Sequence, residues 1–273
     1  MSVPENVKCL PRSYLFVPGN RPELFQKAVE SGADAVIIDL EDAVAPQDKE
    51  LARSLVADWI GSSSQVYIRV NAADTYWYEQ DIAAFAHHPC VAGLVVPKAS
   101  NSRDLNAIAA LGHADLVLLP MIESAAGFAS MQEITSSRSV QRLMFGTIDF
   151  QVDLGTQCED VELNSFRAQI TLASVLAGIG SPIDGVTTAL DDFAAIEAAG
   201  KMAKRFGFGG KLCIHPRQVA PVHEAFKPTD EECEWARRVL VAAQVSKGGV
   251  TVLDGAMIDL PVIIKAKAIL SVK

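Results

Sequence analysis

At 273 residues, 49% hydrophobic and 21% charged, the chain is long enough for one large domain and too apolar for a disordered one. Its net charge of -9, with no Lys/Arg cluster, excludes nucleic acid as an expected partner. Five widely spaced cysteines, Cys9, Cys90, Cys158, Cys213 and Cys233, contain no C-x-x-C pair, which argues against a disulfide framework or a structural zinc site and fits a reducing cytoplasm.

The first residues, Met1 to Lys8, lack the apolar core of a signal peptide. No run approaches the roughly 18 apolar residues of a membrane span. A cytoplasmic protein without membrane association is therefore expected. From there, short apolar runs alternate with stretches of helical period. The runs predict strands over Tyr14 to Val17, Ala35 to Leu40, Val66 to Val70, Gly93 to Val96, Leu116 to Pro120, Leu143 to Phe145, Ile183 to Val186 and Lys211 to Ile214. Helices are predicted between them, among others over Arg21 to Ser31, Gln47 to Ile60, Asn101 to Leu111, Phe166 to Ala177 and Asp191 to Phe206.

Strands that are apolar throughout, rather than every second residue, are expected where both faces of a parallel sheet are covered. Eight successive units favour a TIM (β/α)8 barrel. A doubly wound nucleotide binder is the alternative, but the first turn, Val17-Pro18-Gly19-Asn20-Arg21, lacks G-x-G-x-x-G and no phosphate loop is present. After His215-Pro216 the pattern becomes polar and helical (Arg217 to Phe226, Asp230 to Val245), followed by Gly248-Gly249 and Gly255 to Pro261. The chain thus divides into a barrel over 1–216 and a C-terminal helical arm or lid over 217–273.

Polar residues stand where the strands end, which in such a fold is where a substrate is held. Glu41 and Asp42 close the second run, Arg69 the third, Lys98 follows the fourth, Glu123 the fifth, and Asp149 the sixth. An acid at a strand exit also serves as a helix N-cap, and Asp149 suits that role. As a pair, however, Glu123 and Asp149 meet the minimum for Mg²⁺, which takes oxygen ligands and needs only one or two protein carboxylates. A softer metal would call for His or Cys, and His87, His88, His113, His215 and His223 form no H-E-x-x-H grouping. Arg69 offers a planar donor pair for a carboxylate or enolate; its simpler reading is a rim ion pair with Glu41 or Asp42. Lys98 is a candidate imine-forming lysine of a metal-free aldolase, although nearby carboxylates would keep its amine charged.

The segments Arg12 to Asn20, Asp39-Leu40-Glu41-Asp42-Ala43-Val44, Ile68-Arg69-Val70-Asn71, Pro120-Met121-Ile122-Glu123-Ser124, Gly146-Thr147-Ile148-Asp149, Ile214-His215-Pro216 and Met257-Ile258-Asp259 run in order along nearly the whole chain. In them the sequence resembles the citrate lyase β-subunit family, the acyl-CoA lyases within the wider HpcH/HpaI aldolases. The resemblance implies a TIM barrel holding Mg²⁺ on Glu123 and Asp149, with Asp42 and its neighbour Glu41 on metal-bound waters. It implies that Arg69 contacts the substrate or its enolate. It further implies that Asp259 enters a neighbouring subunit's site as an acid/base, within a homo-oligomer, trimer or hexamer. On local grounds Asp259 is simply a helix N-cap before Leu260-Pro261. Many relatives carry an acid where this chain has Ile148, so the polar contacts of that loop differ here; Asp153 is a second acid able to orient it.

The implied reaction is reversible carbon-carbon cleavage of a carboxylated 3-hydroxyacyl-CoA of citramalyl, malyl or citryl type, giving acetyl-CoA and a 2-oxo acid. CoA carries phosphates, for which Arg12, Arg21, Lys27 and Lys211 are the candidate cations. Alternatives are a CoA-independent metal aldolase of 2-oxo acids, a lyase subunit of a citrate lyase complex acting on a citryl-loaded carrier protein, and a binding subunit without chemistry.

Overall fold

A computed structural model describes residues 10–61, 65–246 and 249–271. The expectations on Met1 to Lys8, Cys9 and Gly248 lie outside these described residues. Eight parallel strands follow one another around a closed sheet: β1 (Ser13–Pro18), β2 (Ala35–Asp39), β3 (Val66–Arg69), β4 (Val91–Val96), β5 (Val117–Ile122), β6 (Met144–Phe145), β7 (Ile183–Asp184) and β8 (Gly210–Cys213). β8 returns to β1 through Ser13↔Lys211, Tyr14↔Leu212 and Leu15↔Cys213, which closes the TIM-type barrel. β5 runs past Pro120, where its sequence pattern was expected to stop. Proline removes one ladder donor, yet Met121 and Ile122 still pair with Met144 and Phe145.

The uninterrupted apolar strands have the expected cause. Alternate side chains point to opposite faces of a strand. Tyr14, Ile37, Val95, Leu119, Met121, Met144, Ile183 and Leu212 fill the barrel interior as one cluster. Leu15, Ile38, Ile68, Leu94, Leu118 and Phe145 join a second cluster with helix residues such as Phe25, Val56, Ile108 and Ile196. One strand residue in two thus meets its neighbours across the lumen and the next meets a helix.

Arg142, fully buried just before β6, ties together backbone at the starts of several strands. Its Nε donates to Ser181 O at 2.6 Å, and its Nη1 donates to Pro11 O at 2.6 Å and to the Tyr14 hydroxyl at 3.1 Å. A buried guanidinium is tolerable when its donors are used this way.

The barrel unit extends to Phe226, ten residues beyond the boundary expected after Pro216. Helix Val219–Phe226 belongs to it because that helix packs on helix Phe193–Arg205, so closely that a Cβ at Gly200 would stand 2.6 Å from Ala225 Cβ. His223 Nε2 also lies 2.8 Å from Ser13 Oγ on β1. The polar pattern after Pro216 marks an outer helix of the barrel, not the start of the arm.

Residues 227–271 have a core of their own, built from Ala236, Val239, Ala243, Ile258, Ile263 and Ala266. Helix Asp230–Val245 begins with a capping box between Thr229 and Glu232. Helix Leu260–Ser271 pairs with it, and between them runs an antiparallel hairpin, β9 (Thr251–Leu253) and β10 (Ala256–Ile258). The hairpin was not expected from the sequence pattern. Its turn is Asp254-Gly255, both at positive φ (52° and 78°), the conformation two-residue hairpin loops favour and Asp-Gly supplies.

Candidate active site

β2 ends on Asp39, which is directly in register with Arg69 at the end of β3. Both face the barrel mouth. Arg69 donates from Nε and Nη2 to the two oxygens of Asp39, each at 2.6 Å, while its guanidinium lies 4.8 Å from the Phe16 ring centroid. That leaves Nη1, which sits 3.1 Å from Glu41 Oε2 and 3.6 Å from Asp42 Oδ2. Burial alone would lower the Arg69 pKa, but Asp39, then Glu41 and Asp42, outweigh it and keep the guanidinium charged. Asp39 also accepts the main-chain N–H groups of Glu41 and Ala43, at 2.9 and 3.1 Å. It therefore shapes the turn that carries the two acids. Lys49 holds the same turn from behind, donating at 2.7 Å to both Leu40 O and Glu41 O.

Glu123 follows β5 directly and is 2% exposed. Its Oε1 accepts the main-chain N–H of Lys98 at 2.6 Å, made possible by a left-handed φ of 49° at Lys98. Its Oε2 is buried with no hydrogen-bond partner. A Cβ on Gly146, the residue after β6, would stand 2.5 Å from that oxygen. Burial foremost, and then the charge of Glu41, push the Glu123 carboxyl up to about 8, against the lowering pull of the Lys98 N–H. Glu41 is likewise raised by burial; its Oε1 accepts from Lys98 Nζ at 3.0 Å.

Asp149 occupies the first turn of helix Thr147–Leu154, as a cap-like acid would, and lines the open cavity at the barrel mouth. The loops after β5 and β6 are joined by Asp153, whose Oδ2 accepts the Ala125 N–H at 2.7 Å. The cavity, about 480 Å³, is also lined by Asp39, Asp42, Arg69, Gly146 and Ile148.

A buried carboxylate oxygen without a partner, on a group whose pKa burial raises, as at Glu123, is the chemistry of a site that expects a cation. Glu123 and Asp149 supply oxygen donors only, which fits Mg²⁺ with water and substrate oxygens completing its shell. Among the described residues no group of three or more His, Cys, Asp or Glu offers a closed metal cage.

The sequence matches the family described as HpcH/HpaI aldolase/citrate lyase over residues 12–216. The chain belongs to that family. As a member of it, the chain is a carbon-carbon lyase. It is 36% identical to a citrate lyase subunit beta-like protein of Deinococcus radiodurans, covering 95% of this chain and 96% of the relative. It is 34% identical to a (3S)-malyl-CoA thioesterase of Cereibacter sphaeroides, covering 91% and 89%. Among solved structures it is similar to the protein CitE of Mycobacterium tuberculosis in complex with magnesium, acetoacetate and coenzyme A, with a TM-score of 0.86 and 30% identity over 97% of this chain and 98% of that one.

At the barrel mouth the structure brings together Glu41, Asp42, Arg69, Lys98, Glu123 and Asp149. It adds Asp39, Lys49 and Gly146. Asp39 had one visible signal, a charge closing an otherwise apolar strand; Gly146 stood in a segment that carries the resemblance, but the reason for glycine there lies on a neighbouring strand.

The four candidate CoA cations separate. Arg12 precedes β1, at the opposite end of the barrel from the mouth, and pairs with Asp34 at 3.0 Å. Lys211 is 2% exposed and points out of the lumen, because its neighbour Leu212 points in. Its Nζ donates to Asp184 at 2.9 Å and to Gly185 O at 2.7 Å. Neither can meet a ligand at the mouth. Arg21, paired with Glu23, and Lys27 are exposed beyond the mouth-facing end of β1.

Lys98 also departs from the imine-forming reading. Burial would lower its pKa, but the hydrogen bond and charge of Glu41, with Asp42 and Glu123, raise it. These acids favour the ammonium form over the free amine that an imine requires. Asp259, in the 227–271 unit, accepts the Val262 N–H at 3.3 Å and so stands as an N-cap in its own chain.

Proposed function

We propose that this chain is a Mg²⁺-dependent lyase that splits a carboxylated 3-hydroxyacyl-CoA into acetyl-CoA and a 2-oxo acid. The observation that carries this reading is the orphaned, buried Glu123 Oε2 beside Gly146, next to the mouth that holds Asp149 and Arg69. Glu123 and Asp149 would hold the ion, with Asp42 and Glu41 on its waters. Bound there, Mg²⁺ supplies Lewis-acid polarisation and a template for the substrate carboxylate and its neighbouring oxygen.

The chain's own residues supply the rest. In cleavage Asp42, which lines the cavity, would take the hydroxyl proton, the bond between the carbinol carbon and the thioester α-carbon breaks, and the electron pair stays on that α-carbon as an enolate. Arg69 is clamped by Asp39 and stacked on Phe16, so its Nη1 is fixed before substrate arrives and needs no reorganisation to meet the developing charge. Asp259 of a neighbouring subunit would hand a proton to the α-carbon, which makes a homo-oligomer, a trimer or hexamer, part of the proposal. Arg21 and Lys27 remain the candidates for the CoA phosphates.

A second reading, thioester hydrolysis at the same site, is favoured by the likeness to a malyl-CoA thioesterase. The experiment that separates them is a panel of CoA esters assayed with and without Mg²⁺, with products identified. Acetyl-CoA plus a 2-oxo acid supports the lyase. Free CoA plus the intact hydroxy acid supports hydrolysis. Turnover of free 4-hydroxy-2-oxo acids alone would move the activity to a CoA-independent aldolase.

A further inference from the structure

The barrel mouth is divided by chemistry. Its charged groups come from one arc, β2 to β5: Asp39, Glu41 and Asp42, then Arg69, Lys98 and Glu123, with Asp149 at the seam after β6. The facing arc is apolar. Ile148 after β6, Val186 after β7 and Ile214 after β8 line the same cavity. Ile148 is 47% and Ile214 43% exposed, large apolar surfaces left open at a mouth otherwise crowded with acids.

These side chains stand on fixed backbone. A Cβ at Gly185 would lie 2.4 Å from Thr147 Oγ1, so the loops that carry Ile148 and Val186 touch. Gln218, 2% exposed, clamps the other pair: it accepts the Ile214 N–H at 2.8 Å and donates to Thr187 O and Ala189 O at 2.7 and 2.9 Å. The wall is therefore built into the fold and does not depend on a loop closing.

The cavity lining among the described residues contains one cation, Arg69, with Lys98 beside it, and both already face acids: Arg69 meets Asp39, Glu41 and Asp42, and Lys98 meets Glu41. A second substrate carboxylate would find no free positive partner there. Against the isoleucines it would be left desolvated and unpaired.

We infer that Ile148, Val186 and Ile214 form the subsite for the substituent on the carbinol carbon, and that the substituent it takes is a short apolar group such as a methyl. This rests on the lyase reading above and deepens it. A hydrogen in that position leaves the wall unfilled; a carboxymethyl group places a charge on it. The product is then a 2-oxo acid with one carboxylate and a small alkyl side chain.

The test uses three CoA esters that differ only at that carbon, bearing hydrogen, methyl or carboxymethyl. Wild type is expected to show kcat/KM for the methyl ester about 10-fold above the hydrogen ester and on the order of 100-fold above the carboxymethyl ester. Ile148→Ala and Ile214→Ala each shrink the methyl-over-hydrogen ratio, and Ile214→Arg raises relative activity on the carboxymethyl ester. Calorimetry with Mg²⁺ and glyoxylate, pyruvate or oxaloacetate reads the same subsite without turnover, with pyruvate binding tightest. If no ester is cleaved the lyase reading fails, and the binding order still decides the subsite. Preference for the carboxymethyl ester or oxaloacetate, or ratios unchanged in both alanine variants, overturns the inference.

Discussion

Gly146 approaches Glu123 so closely that any side chain at 146 would meet Oε2 at 2.5 Å, although its φ of -83° is open to every residue. The glycine is there for space, not for backbone freedom. Gly146→Ala is therefore expected to leave the circular dichroism spectrum unchanged while weakening Mg²⁺ binding by about 10-fold or more, in the range that disturbing a ligand's support costs. Calorimetric titration with Mg²⁺ checks it; unaltered affinity would take Glu123 Oε2 out of the metal shell.

Arg69 is held by both oxygens of Asp39, a geometry an ammonium cannot reproduce. Arg69→Lys should lower kcat by roughly 100-fold, the usual cost of losing one donor to a developing oxyanion, with Mg²⁺ affinity preserved. If KM rises instead and kcat holds, Arg69 binds the ground state and does not select the transition state.

The raised Glu123 carboxyl links metal, pH and stability. In the unfolded chain it titrates near 4.5, and in the metal-free fold near 8. Between those values the folded state holds a proton that the unfolded state has released. Its contribution is thus full below about 4.5 and is lost as pH rises through about 8. Metal-free wild type is expected to melt at lower temperature at pH 8 than at pH 5, with a shallower slope in Glu123→Gln. Since Mg²⁺ needs the carboxylate, binding at pH 7 should release a proton, detectable as a buffer-dependent heat.

Lys98 donates its amine to Glu41 at 3.0 Å and is kept charged. Incubation with pyruvate and borohydride should add no mass to the protein, whereas a chelator should abolish turnover. A trapped adduct on Lys98 would restore the imine-forming reading.

At the end of β7, Asp184 is wholly buried. Burial would raise its pKa, but Lys211 and then Arg167 outweigh that and lower it. Lys211→Met removes one of those two cations and should destabilise the protein by about 3 kcal/mol, the low end for breaking a buried pair. CoA affinity should be unaffected, because Lys211 lies outside the lumen.

Much of the fold was legible in the residues. All eight strands were marked by short apolar runs, because a strand covered on both faces leaves no alternation to obscure its length. Asp230–Val245 matches its predicted span, since Thr229 and Glu232 announce the start of that helix locally. The hairpin was missed, although Asp254-Gly255 signalled its turn, because its strands are only three residues each. The compact unit that holds the barrel runs on to Phe226, because along the chain a polar outer helix reads like the start of an arm.

The sequence by itself determined which chemistry was available, since Glu123, Asp149, Arg69, Glu41 and Asp42 stand at strand ends, and strand ends in this alternation share one face. Only the tertiary structure decided which of them touch. Registration of β2 with β3 gave Arg69 its partner Asp39, and the approach of Gly146 left Glu123 with a free oxygen. Closure of β8 on β1 turned Lys211 outward, away from the lumen. Each of these depends on pairing between strands tens of residues apart, and that pairing is a property of the closed sheet and not of any local stretch of chain.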